Sequence, residues 1–115
     1  MNHSIGQIGY FQLSNLVRNK VPFALFALDF KIPQINELDV KQIFKSVIET
    51  DSQSLLGLIQ EMKLKLDHPI ILICPQGGVS SQFALKMSEH SFINIYYVKN
   101  GWDGLAAEAE INLSL

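Results

Sequence analysis

One cysteine stands among 115 residues, and its neighbours are those of a sulfur meant to react. Cys74 closes the apolar run Pro69-Ile70-Ile71-Leu72-Ile73 and opens the loop Pro75-Gln76-Gly77-Gly78-Val79-Ser80-Ser81, after which a helical pattern begins. A buried strand delivers a side chain to its carboxyl end, glycines let successive backbone N–H groups turn inward, and a new helix adds positive dipole character at the same point. That arrangement suits a thiolate, with Cys74 as nucleophile and Pro75, Gln76, Gly77, Gly78, Val79 and Ser80 as an anion-binding loop. Taken alone, a cysteine ending an apolar strand reads as an inert core residue, and the glycines as servants of a tight turn. Ser80 and Ser81 read most simply as caps of the following helix.

Other chemistries find little support. No cysteine and histidine cluster has metal-ligand spacing, so neither a metal nor another cofactor is expected. His68 precedes the strand whose far end is Cys74, roughly 20 Å away at strand rise. His90 lies at the distal end of the next helix, roughly 15 Å from its start. A Cys-His dyad is therefore not expected, and His3 belongs to the terminal segment.

Composition narrows the partners. Nine basic and eleven acidic residues are spread along the chain for a net charge of -2, which leaves no electrostatic footprint for nucleic acid or anionic lipid. The length and 48% hydrophobic content fit one domain over residues 1–115 with a single core. The apolar stretches from Val21 to Leu28 and Pro69 to Cys74 fall far short of the roughly 20 residues of a membrane-spanning helix. A single cysteine and a start without the pattern of a secretory signal lead to the expectation of a cytoplasmic protein.

Alternating patterns set the elements that position the sulfur. Ile8 to Leu13 reads as a short strand or extended lead-in, Gln12 to Asn19 as a brief helix, and Phe23 to Asp29 as a strand buried on both faces. Lys31 to Ile35 allows a small edge strand interrupted by Pro33. Asn36 can cap a helix from Glu37 to about Glu49, and Thr50 or Asp51 a second one through Met62, with Thr50 and Gln53 at capping-box spacing. The strand to Cys74, a helix to about His90, a strand from Phe92 to Val98, an Asn100-Gly101 turn and a helix-prone tail complete the chain. Strands alternating with helices predict a mainly parallel sheet covered on both faces, with its ligand crevice beyond the strand carboxyl ends. Topology then brings Asp29, Lys31, Lys99, Asn100, Trp102 and Asp103 toward the rim of the Cys74 loop. Asp29 suits acceptance of loop N–H groups, while Trp102 reads as a core anchor or a binding surface.

The stretch PIILICPQGGVSSQFALKMSEHSFINIYYVKNGWDGL resembles the second half of a rhodanese-like domain. Cys74, Gly77, Ser80 and Gly101-Trp102 carry the likeness. Upstream, FALFALDFK is similar to the family's strand ending in Asp-x-Arg, with Lys31 at the arginine position, and YFQLSNLV to its first strand and helix. The resemblance implies a three-layer α/β fold and sulfur transfer through a Cys74 persulfide. The donor would be thiosulfate, a small persulfide or a persulfide-bearing protein, and the acceptor a thiol.

Two departures bear on activity. Val79 stands where rhodaneses commonly carry an arginine, and nothing from Lys31 to Val40 reproduces their Gly-His-Ile-Pro-Gly-Ala segment. Without that arginine a charge that would hold a donor oxyanion is missing, so thiosulfate activity is expected to be weak, with Lys31 and Lys99 as candidate substitutes. The alternative is a catalytically degenerate binding or regulatory module. Cysteine phosphatases resembling this fold need an arginine where Ser80 stands, which makes that chemistry a distant third.

Overall fold

The computed structural model describes residues 5–114, with side chains through Glu110; His3 lies outside the described residues. The elements run β1 (Gly6–Ile8), α1 (Tyr10–Arg18), β2 (Ala24–Leu28), α2 (Leu38–Ile43), β3 (Ile48–Thr50), α3 (Leu55–Met62), β4 (Ile70–Ile73), α4 (Gly78–Glu89), β5 (Ile95–Val98) and α5 (Gly101–Ser114). The five strands form one sheet in the order β1-β5-β4-β2-β3. Every pairing is parallel, with Ala24 opposite Ile70 and Ile71 opposite Tyr96.

The most apolar strands take the middle. Each residue of β2 and β4 is buried, as a parallel strand with helices on both faces requires. Alternate side chains divide into two cores. Leu25, Ala27, Ile71, Ile73 and Val98 meet Leu13, Val40, Phe44 and Leu105 from α1, α2 and α5 on one face. Phe26, Leu28, Ile70, Leu72, Cys74 and Ile95 meet Leu55, Ile59, Ala84 and Met87 from α3 and α4 on the other. This is the expected three-layer α/β architecture with a parallel sheet at its centre.

Several local expectations are corrected. The first strand ends at Ile8, and the helix already begins at Tyr10, where Gln12 folds its carbonyl oxygen back onto the Gly9 N–H at 2.9 Å. Lys31 to Ile35 forms no strand. The edge position belongs to Ile48–Thr50, within and just beyond the stretch read as helix up to Glu49. That helix stops at Ile43, capped by Phe44 and closed by the bond from the Val47 N–H to the Phe44 carbonyl. Asn36 does not cap it, since Glu37 holds that place without a side-chain bond. Asp51 caps the next turn by accepting from the Ser54 N–H, while the Thr50 hydroxyl bonds to the Asp51 carbonyl and makes no box with Gln53. No described helix is long and apolar enough to cross a membrane.

Candidate functional site

Cys74 directly follows β4, the central strand, so its side chain falls on the α3 and α4 face and is 1% exposed. The chain then turns sharply. Gly77, at φ +96°, caps α4, and a side chain there would press on the Asn100 and Gly101 backbone at 3.2 Å. A residue in that left-handed region with no room for a Cβ must be glycine. The turn brings the Gly77 N–H to 3.1 Å and the Ser80 N–H to 3.3 Å from Cys74 Sγ.

The sulfur does what a capping side chain ordinarily does. Gly77 has no side chain to offer the first turn of α4, and Cys74 Sγ accepts from the Ser80 N–H in its place. Negative charge on that sulfur gains from both amides and from the positive end of the helix. Gly78, by contrast, is exposed, and its N–H makes no hydrogen bond to the sulfur. Helix α4 begins at Gly78, so Ser80 and Ser81 lie inside its first turn and cap nothing. The Ser80 hydroxyl instead lies 3.3 Å from Sγ and donates to the Gly77 carbonyl at 3.2 Å.

A second helix fixes the loop from behind. The Trp102 N–H donates to the Cys74 carbonyl at 2.8 Å, and the Asp103 N–H to the Pro75 carbonyl at 3.1 Å. Orphan amides of the first turn of α5 thus hold the loop's carbonyls outward, which leaves its amides free to face the sulfur. Gly101, at φ +61°, makes this approach possible: a Cβ there would overlap the Cys74 carbonyl oxygen and lie 2.7 Å from the Gly77 nitrogen. The Asn100-Gly101 pair, legible in sequence only as a turn, is the clamp of the Cys74 loop.

None of the remaining rim side chains hydrogen-bonds to Cys74. Asp29 accepts from the Ser52 N–H at 2.9 Å and gives its own N–H to the Thr50 carbonyl, so its hydrogen bonds order the connection after β3. Lys31 and Lys99 are exposed and have no ion pair among the described residues. The Trp102 ring lies in the other core, edge-on to Phe44 at 5.4 Å, and serves the Cys74 loop through its backbone alone. It also lines a cavity of about 340 Å³ with Ile35, Glu37, Val40 and Ala106, which Cys74 does not reach. Pro75, Gln76, Gly78 and Val79 form the exposed outer surface of the loop, with no cation among them. Two features escaped sequence reading: the Ser80 hydroxyl contact and the clamp by α5. A serine placed right after Cys-x-x-Gly-Gly-x was the available signal for the first.

A parallel five-stranded sheet with helices on both faces and a cysteine loop at the end of its middle strand defines the rhodanese-like fold. Among solved structures the chain is similar to the 30 kDa homodimeric polysulfide-sulfur transferase from Wolinella succinogenes, known from a solution structure. The TM-score is 0.62 and the identity 14%, with 91% of this chain and 75% of that chain covered. At this identity the likeness establishes the fold. No protein-family model matches the sequence, and no curated protein does so either.

Proposed function

We propose that this protein carries or transfers sulfur as a persulfide on Cys74. The observation that supports the reading is the pair of amides on one sulfur, from Gly77 at 3.1 Å and Ser80 at 3.3 Å, at the positive end of α4. Hydrogen bonds to a charged acceptor contribute about 1.5–3 kcal/mol each, and at Sγ they favour the thiolate that attacks the donor. The step needs no metal and no redox partner. The Cys74 thiolate attacks the outer sulfur of a donor persulfide R–S–S⁻, a new S–S bond forms at Sγ, the donor's S–S bond breaks, and R–S⁻ departs with the electron pair. An acceptor thiolate then takes the outer sulfur by the same exchange and restores the Cys74 thiolate.

The donor class follows from charge. Thiosulfate would present a sulfonate that departs as sulfite, and Pro75 to Ser80 offer no cation to hold it. Polysulfide or a persulfide, on a small molecule or a carrier protein, asks only for the amides. The acceptor is a thiol, and a reducing compartment such as the cytoplasm suits both partners. Because Cys74 is 1% exposed, a donor reaches it only when the exposed loop surface around Pro75 and Val79 yields.

That burial also favours a second reading, in which the thiol only caps α4 and the fold serves as a binding module. Mass spectrometry after incubation with inorganic polysulfide separates the two. Sulfur transfer predicts sulfur atoms added to wild type and none to Cys74→Ser; no mass gain on either protein would leave the binding module.

A further inference from the structure

Three serines of α4 return their hydroxyls to the carbonyl three residues back, and they do so unequally. Ser88 bonds to Leu85 at 2.7 Å and Ser81 to Gly78 at 2.9 Å, the lengths of ordinary hydroxyl bonds. Ser80 lies 3.2 Å from the Gly77 carbonyl, and the same oxygen lies 3.3 Å from Cys74 Sγ and accepts its S–H. This hydroxyl is fully buried, at 0% exposure, although Gly77 already supplies the cap position and Ala84, one turn on, fills the same core with a methyl group. Burying a hydroxyl where a methyl would pack carries a desolvation penalty unless its bonds repay it.

We propose that Ser80 is a positioning residue whose hydroxyl reverses direction with the charge on Cys74. With the thiol protonated, the S–H donates to Ser80 Oγ and the Ser80 O–H donates to the Gly77 carbonyl. When the proton leaves to a solvent base, Sγ can only accept. The Ser80 hydroxyl then turns about its Cβ–Oγ bond, gives up the long bond to Gly77 and donates to the sulfur as a third partner beside the two amides. The Gly77 carbonyl lies in the first turn of α4 and keeps the Ser81 N–H at 3.1 Å, so the exchange strands no acceptor. The hydroxyl serves both protonation states of one sulfur, which a fixed amide cannot do. The inference deepens the persulfide reading, whose nucleophile this exchange stabilises.

The test is the pH profile of thiolate ultraviolet absorbance, which the single cysteine makes specific once Cys74→Ser is subtracted. Ser80→Ala should move the midpoint up relative to wild type, because the charge-assisted bond lost from the thiolate outweighs the weak S–H bond lost from the thiol. Ser80→Thr restores the hydroxyl and should stay near wild type, and Ser81→Ala, whose hydroxyl faces Gly78, should not move it. In wild type alone, the infrared S–H stretch should sit below that of a free thiol, reporting donation to Ser80 without any variant. Coincident midpoints for Ser80→Ala and wild type, or a stretch at the free-thiol frequency, would overturn the assignment. A shifted midpoint in a protein that takes up no sulfur from polysulfide would uphold Ser80 and refute the persulfide reading; an unmoved midpoint with normal uptake would do the reverse.

Discussion

Replacing Gly101 by alanine attacks the loop from behind, at a position that touches no sulfur. The backbone there is at φ +61°, a conformation that costs a residue with a Cβ about 1–2 kcal/mol. The new methyl would overlap the Cys74 carbonyl oxygen and sit 2.7 Å from the Gly77 nitrogen and 2.8 Å from the Gln76 nitrogen, all of them backbone atoms that no rotamer change can move aside. The loop must therefore retreat, and the 2.8 Å bond from the Trp102 N–H to the Cys74 carbonyl is lost, at about 1 kcal/mol more. With the strain of displaced backbone, Gly101→Ala should destabilise the fold by about 3 kcal/mol, or roughly 12 °C in Tm for a domain of this size. Thermal melts of variant and wild type measure the first effect. The thiolate pH profile of the folded variant measures the second, since a loop freed from α5 no longer aims the Gly77 and Ser80 amides at the sulfur. A Tm within about 2 °C of wild type and an unchanged thiol profile would show that α5 does not hold the loop.

Cys74→Ala should destabilise by about 1–3 kcal/mol, because the buried Gly77 and Ser80 N–H groups lose their acceptor, whereas Cys74→Ser keeps one; denaturant unfolding of the pair reads the difference. Trp102→Ala should cost about 2–3 kcal/mol through the lost packing on Phe44 yet leave the thiol profile in place, because the backbone N–H that serves the loop survives. Gly57→Ala, on an exposed turn of α3 with nothing within 4 Å of the new methyl, should raise stability by about 0.5–1 kcal/mol in the same assay. Asp29→Ala should lower stability by about 1–2 kcal/mol and leave the Cys74 profile untouched, since its carboxylate holds only the Ser52 N–H.

The central strands were readable because burial on both faces leaves one signature, a short unbroken apolar run, and Ala24–Leu28 and Ile70–Ile73 both carry it. The edge strand was not. Val47 and Ile48 satisfy helical spacing behind Ile43 and Phe44 as well as they satisfy an extended chain, and only pairing of Phe26 with Ile48 decides between them. At the sulfur, the order of strand, glycine loop and helix fixed which residue to watch. Which amides reach it depended on the turn at Gly77, and a sulfur in the capping role made a serine cap unnecessary where sequence habit expected one. Trp102 packs as the core anchor its type suggested, but in the layer opposite the Cys74 side chain, because α5 covers the other face of the sheet although the two backbones touch.

The docking of α5 on the Cys74 loop has a consequence for biogenesis. A ribosome releases Cys74 well before Gly101, Trp102 and Asp103, so through that interval the thiol has neither its rear support nor a finished sheet around it. Its special environment is a property of the completed domain, and a chain truncated before α5 would keep the cysteine while losing what distinguishes it from any other. The environment of this thiol is thereby set by folding itself, and a damaged or half-made copy lacks it.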